Sequence, residues 1–463
     1  MVIGAGATGL TAAAELSRLG LAVTVVEKDQ TSVGGRSRTL EFMGCRFDIG
    51  PQPLFSENGE VESFFTRVLA DELGELAGRA RVLNRGRYLD MPITPWDALL
   101  SLGPPEAARS LFSMAQGRLN PIEEPLSLED WGRNQLGARL FSSLHAGYLE
   151  KIWGVPAAEL SFDNRADWLG QMLSAPKSFQ YPRLGIGQLW HSVAAGLESE
   201  GHRMRRGEQV VAVRHAGGRV IAVTVQDPRG RTVDLVGSYF LSTIPINHLI
   251  RRLSPAAPGP VRQAAEYLSY RNLVTVNVVL DRSDTFPDQW IDVFDPSVMV
   301  GRISNFKNFS SAMVPDPGLT GLGLEYFCSP TDESWSASDA DMLDLGRREL
   351  IALGLCDPDE VKAGMVCRQE EAFLLNGPSA DESLAVIAEW LEVALPNLRV
   401  AGTHGGWGQA QQEASVRDGL ALARDIASAT ARPGAEARPA RTDFGAPKGV
   451  DILVGFRSGV AQR

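Results

Sequence analysis

The chain has 463 residues, of which 44% are hydrophobic and 22% charged, a composition that suits a globular protein with about two or three domains. Its formal net charge is -11, and the basic residues are scattered, so we expect no nucleic-acid partner. The four cysteines are widely spaced and show no metal-ligand spacing, and no apolar run is long enough for a membrane span. We therefore expect a cytoplasmic protein that binds a small molecule, without a metal; the oligomeric state is not predicted.

The first residues have the pattern of a βαβ unit with a glycine turn. A short apolar strand leads into Gly4, Gly6 and Gly9, and an Ala/Leu-rich helix and a second strand follow. Gly4 allows the tight turn, Gly6 lets the backbone approach a pyrophosphate, and Gly9 lets the helix pack closely on the strand. Glu27 ends the second strand, where a carboxylate accepts hydrogen bonds from ribose and disfavours a 2′-phosphate. The pattern predicts a dinucleotide other than NADP.

The next segment distinguishes FAD from NAD. Gly34-Gly35-Arg36-Ser37 resembles the motif of a flavoprotein superfamily that includes amine oxidases, protoporphyrinogen oxidases, carotene desaturases and UDP-galactopyranose mutases. The resemblance implies that both glycines pass beneath FAD and that Arg36 approaches its pyrophosphate. It also implies an α/β fold with a Rossmann-type, GR2-like FAD-binding domain, an inserted helical region and a mixed-sheet substrate domain.

Later segments extend this resemblance. The strand at Val211 resembles the one whose backbone pairs with adenine, although it also has the pattern of a plain core strand. The strand and glycine loop from Leu398 to Trp407, with the helix after it, resemble the second flavin-binding motif. That resemblance implies FAD contacts, including amide groups near the flavin pyrimidine oxygen, from Gly402, Trp407, Ser415 and Val416.

The order of these motifs predicts a discontinuous domain arrangement. We expect residues 1–55, 181–250 and 395–430 to form the FAD-binding domain, 56–180 a helical insertion, and 251–394 a sheet-containing substrate domain. Residues 431–463 are rich in Ala, Pro and Arg over their first part and are interpreted as a tail.

Several stretches are most similar to the UDP-galactopyranose mutases. Arg302 matches an arginine that holds the sugar nucleotide in those enzymes, although it could equally pair with a core carboxylate. Met172 and Thr403 stand where two further arginines are expected, and Gly50-Pro51-Gln52 replaces a Gly-Gly-His run, so redox chemistry is favoured over mutase activity. The similar stretches are Phe47–Gln52, Lys151–Pro156, Trp168–Gly170, Tyr181–Trp190 and Gly301–Ser310.

The resemblance implies an FAD-dependent oxidoreductase that oxidises a C–OH or C–N group of a small polar substrate, such as a sugar or aminocyclitol in a biosynthetic pathway, by hydride transfer to flavin N5. Two alternatives stay open: a mutase-like isomerase that uses reduced FAD, and a non-catalytic flavin-fold binding protein. His404 is the preferred base, with a loop-capping role as its alternative. Further candidates are Gln52, Arg302, Tyr326 and Glu325, the last with an internal salt bridge as its alternative. The remaining histidines, including His145, are interpreted as bystanders, and Gly50 is assigned to the cofactor site.

Overall fold

The computed structural model describes residues 1–56, 58–91, 103–160, 178–375, 378–402 and 411–431. Within these ranges the protein is a mixed α/β structure. Its helices are Ala7–Arg18, Gly59–Leu69, Pro104–Leu119, Leu128–Leu136, Ala138–Leu140, Gly147–Trp153, Gly187–Ser199, Ile246–Arg251, Gly259–Tyr267, Glu333–Ser336, Asp339–Ala352, Pro378–Ala394 and Gln411–Thr430, with a π-helix at Phe141–Ala146 and 3₁₀ turns at Ala70–Glu72, Ala157–Glu159 and Phe306–Asn308.

The strands of these ranges fall into two large sheets and three smaller ones. They are β1 (Val2–Ile3), β2 (Thr24–Glu27), β3 (Thr39–Phe42), β4 (Cys45–Asp48), β5 (Leu73–Ala77), β6 (Ala80–Asn84), β7 (Arg87–Asp90), β8 (Ser178–Pro182), β9 (Arg203–Arg206), β10 (Gln209–Ala216), β11 (Arg219–Gln226), β12 (Thr232–Val236), β13 (Phe240–Ser242), β14 (Leu253–Ser254), β15 (Tyr270–Leu280), β16 (Trp290–Val293), β17 (Arg302–Asn305), β18 (Thr320–Cys328), β19 (Val361–Leu374) and β20 (Leu398–Val400).

The first large sheet is a parallel, five-stranded sheet of the Rossmann type. Its order is β20-β13-β1-β2-β9, and all four strand pairs are parallel. Val2, Val25 and Leu241 are fully buried at its centre, as expected for a sheet that is covered on both faces. Its strands come from the three segments that were expected to form the FAD-binding domain.

The second large sheet is mixed and has seven strands, in the order β19-β15-β18-β17-β16-β6-β7. Its pairs are antiparallel except for β16 with β6. Because side chains alternate along each strand, one face carries Val276, Leu324 and Ile303, which are fully buried in an apolar cluster with the helix Asp339–Ala352. The opposite face carries the polar residues discussed below.

The expectation that residues 56–180 are helical was wrong for part of that stretch. β5 to β7 and the start of β8 lie within it, and β6 and β7 join the edge of the seven-stranded sheet. The β6–β7 hairpin turns at Arg85 and Gly86, which have φ of 49° and 72°. Two residues with positive φ define the tight turn that suits the twist of a hairpin. The segment therefore extends the seven-stranded sheet as well as carrying helices. Because this sheet lies mostly in the part of the chain that was expected to form the substrate domain, it is called the substrate sheet below.

In the described ranges, three smaller sheets accompany the two large ones. β12, β11, β10 and β14 form a four-stranded sheet, while β3 pairs with β4 and β5 pairs with β8. Among the described helices, none is both long enough and apolar enough to cross a membrane.

Candidate active site

The glycine turn after β1 leaves no room for side chains at two of its three glycines. Gly4 has φ of +98°, and its amide donates to the carbonyl oxygen of Val26 at 2.8 Å. A Cβ on Gly9 would lie 2.2 Å from the carbonyl oxygen of Gly4, whereas a Cβ on Gly6 would meet no atom of the described residues within 4 Å. Gly9 therefore serves the packing of the first helix, and Gly6 borders open space.

The amino end of the first helix is free to receive an anion. Gly6 is its N-cap, has no side-chain capping bond, and no acidic residue lies in the first turn. Its amide groups and the helix dipole thus face outward without a competing carboxylate, as a pyrophosphate site requires. Glu27 is adjacent, since its Oε2 accepts from the amide of Ala5 at 2.8 Å and its Oε1 from that of Asp29 at 2.9 Å. These bonds hold its carboxylate at the end of β2, where we expect the ribose.

The second glycine pair packs directly on this turn. The amide of Gly34 donates to the carbonyl oxygen of Ala5 at 2.7 Å, and Gly34 forms a bridge with Gly6. A Cβ on Gly35 would lie 3.3 Å from the Cα of Gly6. With φ of +97° and +60°, Gly34 and Gly35 adopt a conformation that side chains disfavour. The first 35 residues therefore build one continuous backbone cradle, which fits a dinucleotide.

Arg36 points from this cradle toward the substrate sheet. Its guanidinium carbon lies 4.4 Å from the ring centroid of Phe373, and its Nη1 donates to the carbonyl oxygen of Ala372. Burial lowers the pKa of Arg36 to about 10, and Glu325 opposes that shift. The side chain therefore joins the cofactor region to the substrate domain, and its approach to the pyrophosphate stays a prediction.

Val211 and Gly402 are two further cofactor candidates. Val211 lies at a register shift of β10 between Val210 and Ala212 and is 36% exposed, so its side chain is not part of the core. Gly402 follows β20, and a Cβ there would be 3.5 Å from Thr8 Oγ1, which places the end of β20 beside the first turn of the first helix. The predicted adenine contact of Val211 and flavin contact of Gly402 stay predictions.

The helix that carries Ser415 and Val416 begins earlier than the motif suggested. It spans Gln411–Thr430, so both residues lie beyond the first four amide groups that lack intrahelical partners. Their amides are therefore not among the free amides at the start of this helix, and the flavin contacts expected of Ser415 and Val416 stay predictions. Val416 is fully buried in the core beside the first helix. His404 and Trp407 lie outside the described residues.

A row of polar side chains crosses the inner face of the substrate sheet. Asp292 on β16 is the register partner of Arg302 on β17, and Arg302 is the partner of Glu325 on β18. Glu325 is in turn opposite Thr275 on β15. Directly opposed residues share one face of a sheet. The three charged side chains are therefore neighbours, although they are distant in sequence.

Glu325 is placed where this row meets the cofactor cradle. Its side chain is 3% exposed, and a Cβ on Gly50 would lie 3.1 Å from its Oε2. Its Oε1 has no hydrogen-bond partner in the described part of the chain. Burial raises the pKa of Glu325 to about 7; Arg302 and Arg36 oppose the rise, and Asp292 adds to it. The group thus changes its charge near neutral pH, which suits a proton acceptor.

Arg302 pairs with a buried carboxylate, as one interpretation of the sequence expected. Its Nε donates to Asp292 Oδ1 at 2.8 Å. Burial alone would lower its pKa, but Asp292 and Glu325 outweigh that effect and raise it. Arg302 therefore stays charged between the two carboxyl groups.

Gln52 is engaged within the protein. Its Nε2 donates to the carbonyl oxygens of Arg36 at 3.1 Å and Ile49 at 3.2 Å, while its Oε1 accepts from Ser37 Oγ at 2.7 Å and from Gln412 Nε2. These contacts use both donors and both acceptor positions of the amide. The side chain therefore connects the cradle to the helix Gln411–Thr430, and the geometry gives it no spare group for a substrate.

The structure also places four further residues, of which Tyr326, Tyr148 and Asp292 change the picture drawn from sequence. Tyr326 lies on the opposite face of β18 and donates to Glu349 Oε2 at 3.0 Å, so it is removed from the candidate bases. Tyr148 and Asp292 were missed: the hydroxyl of Tyr148 donates to Asp292 Oδ1 at 2.7 Å. His145, interpreted as a bystander, is buried against Phe294, and burial lowers its pKa to about 4. No sequence spacing links Tyr148 to Asp292.

The described residues contain no cluster of three or more His, Cys, Asp or Glu side chains that could hold a metal ion. The cradle, by contrast, fits FAD: Gly4, Gly6, Gly9 and the Gly34-Gly35 pair would surround the pyrophosphate, and Glu27 would hold the ribose.

Comparison with known proteins agrees with this assignment. The family model for flavin containing amine oxidoreductases matches residues 7–427. A phytoene dehydrogenase of Streptomyces griseus is 25% identical over 426 residues, which cover 78% of this chain and 80% of that protein. The crystal structure of a reduced UDP-galactopyranose mutase has a TM-score of 0.77 at 20% identity, with 93% of this chain and 94% of that chain covered. Cyclohexylamine oxidase from Brevibacterium oxydans has a TM-score of 0.66 at 16% identity, covering 93% of this chain and 99% of that chain.

The fold and cradle define a flavoprotein with a Rossmann-type cofactor domain and a mixed-sheet second domain. The chain belongs to the flavin containing amine oxidoreductase family; it is an FAD-dependent oxidoreductase. The predicted superfamily, fold class and cofactor are confirmed.

Proposed function

We propose that the protein oxidises a carbon bonded to oxygen or nitrogen in a small polar substrate, such as a sugar or aminocyclitol, and that Glu325 accepts the proton released from the O–H or N–H group. FAD, when bound, supplies the hydride acceptor at its N5. The oxidation removes one hydride from carbon and one proton from the heteroatom, so the substrate gains a C=O or C=N bond.

The observation that carries the proposal is the position of Glu325. Its carboxyl group is buried against Gly50 and lies in a row with Arg302 and Asp292, at the junction of the cradle and the substrate sheet. Its pKa of about 7 gives a large ionised fraction at neutral pH, and the ionised group can accept a proton. Arg302 would orient the substrate by donating to its oxygen or to a neighbouring acceptor.

A polar substrate also gives a reason for burying the charged row of Asp292, Arg302 and Glu325 in spite of its desolvation penalty. Burying charged groups carries a desolvation penalty of several kcal/mol for each ion, which pairing offsets only in part. An oxidation that releases a proton from an alcohol or amine uses such groups. An apolar polyene has no O–H or N–H group that could form hydrogen bonds with these charged side chains.

A second candidate is the dehydrogenation of an apolar polyene. It is favoured by the 25% identity with phytoene dehydrogenase and by the aromatic side chains of Phe294, Phe327 and Phe373, which lie in one apolar cluster near the row. Mutase activity has weaker support, because the other two arginine positions of the mutases hold Met172 and Thr403 here.

The test is anaerobic mixing of the FAD-loaded protein with a panel of amino sugars, aminocyclitols, primary amines, nucleotide sugars and detergent-solubilised phytoene. We expect one alcohol or amine to bleach the flavin absorbance, and Glu325→Gln to slow that bleaching by about 10²–10⁴-fold. Glu370→Gln is the matched control, because Glu370 is an exposed carboxylate of β19. Bleaching by phytoene alone, or equal rates in Glu325→Gln and wild type, would refute the proposal.

A further inference from the structure

Asp292 receives two hydrogen bonds at one oxygen from two different parts of the chain. Its Oδ1 accepts from Arg302 Nε at 2.8 Å and from the Tyr148 hydroxyl at 2.7 Å. Asp292 is 1% exposed, so its charge is compensated by these partners rather than by solvent. The carboxylate therefore connects the helical insertion to the polar row of the substrate sheet.

Tyr148 is held rigidly where it can make this bond. Its ring stacks on Phe294, with 4.0 Å between centroids and an interplanar angle of 22°. One turn later in the same helix, Lys151 Nζ donates to the carbonyl oxygens of Val293, Asp295 and Val300 at 3.0, 2.8 and 3.2 Å.

Arg271 fixes the end of that helix. Its Nε donates to the carbonyl oxygen of Ile152 at 3.1 Å, and its Nη2 donates to that of Phe327 at 2.7 Å. Arg271 lies on β15, and its two contacts are with the helix and with β18. These bonds hold the helix Gly147–Trp153 against the seven-stranded sheet. Tyr148 is thus a preorganised support for Asp292.

We propose that Asp292 and Tyr148 are positioning residues that hold Arg302 beside Glu325 and so set how readily Glu325 takes up a proton. The inference rests on the proposed function of Glu325, but the positioning itself follows from the register and the hydrogen bonds. Arg302 uses its Nε for Asp292, which fixes the plane of the guanidinium group and its distance from Glu325, its partner on β18.

The charges that face Glu325 decide in which direction each substitution should move its pKa. Arg302 from β17 and Arg36 from the cradle favour its ionised form, while Asp292 from β16 favours its protonated form. Tyr148 faces the same group from the helical insertion. Asp292→Asn keeps an oxygen that can accept from Arg302 Nε, so Arg302 stays beside Glu325. The substitution removes the repulsion between the two carboxylates and leaves the charge of Arg302 to act on Glu325 alone. Both effects lower the pKa of Glu325.

The experiment is an infrared titration of the oxidised, FAD-loaded protein, which needs no substrate. The carboxyl band of Glu325 is assigned by its loss in Glu325→Gln, and its midpoint is followed against pH. We expect Asp292→Asn to lower that midpoint by about one pH unit or more, and Arg302→Met to raise it. A generally loosened site would not move the two variants in opposite directions.

Tyr148→Phe removes one hydroxyl and keeps the stacking, so it serves if Asp292→Asn does not fold. Without the Tyr148 hydroxyl, the negative charge of Asp292 acts on Glu325 at full strength. We therefore expect the midpoint of Glu325 to move to higher pH, by less than it moves in Asp292→Asn. Asp288→Asn is the matched control: Asp288 forms a similar pair with Arg81, 2.6 Å away, outside the row. An unchanged midpoint in both Asp292→Asn and Tyr148→Phe overturns the proposal. If the Glu325→Gln variant were reduced by substrate at the normal rate, the proposed function would be refuted. The shifts in the midpoint of Glu325 would still be expected, because they do not depend on catalysis.

Discussion

Gly9 lies so close to Gly4 that a Cβ on Gly9 would be 2.2 Å from the carbonyl oxygen of Gly4. That distance is far inside van der Waals contact, and both glycines belong to backbone that is fixed by β1 and the first helix. Gly6 is the opposite case, because a Cβ on Gly6 would have no atom within 4 Å in the part of the chain that the structure describes. The same turn thus contains one glycine needed for packing and one that borders the cofactor space.

This difference predicts different outcomes for two substitutions. Gly9→Ala should displace the first helix, lower the free energy of unfolding by about 1–3 kcal/mol and abolish FAD retention. Gly6→Ala should keep wild-type stability in the absence of FAD but weaken FAD binding about tenfold or more, since a hydrogen bond to a charged group is worth ~1.5–3 kcal/mol. The measurements are chemical denaturation of the FAD-free protein and flavin fluorescence titration. Equal stability losses in both variants would contradict this assignment.

Glu325 should cost stability when it ionises. Its pKa is raised from 4.5 to about 7, so between these values the folded protein binds more protons than the unfolded chain. The free energy of unfolding therefore falls as the pH rises through this window. Glu325→Gln mimics the neutral group and should match wild type near pH 5, but exceed it by about 1–3 kcal/mol near pH 8. Thermal melting at both pH values checks this, and an advantage that is the same at both would contradict it.

The cradle could be predicted from sequence because its signals are local. Gly4, Gly34 and Gly35 all adopt positive φ, and that requirement selects glycine at each place. The β6–β7 hairpin also had a local signal in Arg85-Gly86, but the surrounding helical pattern concealed it.

The polar row could not be predicted in the same way. Asp292, Arg302 and Glu325 become neighbours only through the register of three strands, and a shift by one residue would turn each side chain to the other face. Tyr148 reaches Asp292 from a separate helix. The sequence analysis included both Glu325 and its neighbour Tyr326 as candidates, although adjacent residues of a strand point to opposite faces and only Glu325 lies in the row.

Asp48 should be a major contributor to stability. Its carboxylate accepts from Thr39 Oγ1 at 2.5 Å, from the Ile186 amide at 3.0 Å and from the Tyr181 hydroxyl. Burial raises its pKa to about 6 although these bonds oppose the rise. Asp48→Ala leaves three donors without this acceptor, of which Tyr181 and Ile186 are buried and Thr39 half-buried, and should lower the free energy of unfolding by about 3 kcal/mol or more.

Tyr181→Phe removes one of these donors and should cost about 1 kcal/mol. Urea denaturation measures both effects, and Asp90→Ala, at an exposed position, is the control. If Asp48→Ala were no less stable than this control, the three hydrogen bonds would contribute nothing net.

Glu371 connects β19 to the helix Ile246–Arg251. His248 Nε2 lies 2.8 Å from its Oε2, and Asn247 Nδ2 donates to its Oε1 at 3.1 Å. Burial would raise its pKa, but the bonds from His248 and Asn247 outweigh burial and lower it below 4.5. The stabilisation is therefore complete above about pH 4.5 and is lost as the pH falls through the lower folded value.

Glu371→Gln should accordingly be less stable than wild type near neutral pH, by about 1–2 kcal/mol, and the difference should vanish in acid. Gln keeps the Cβ, so the positive φ of 48° at this position is equally unfavourable in both proteins and cancels. Glu370→Gln, the exposed neighbour, should show no pH-dependent difference. Melting temperatures measured from acid to neutral pH decide the matter: a deficit that persists unchanged in acid would mean that Glu371 acts through packing, not through its charge.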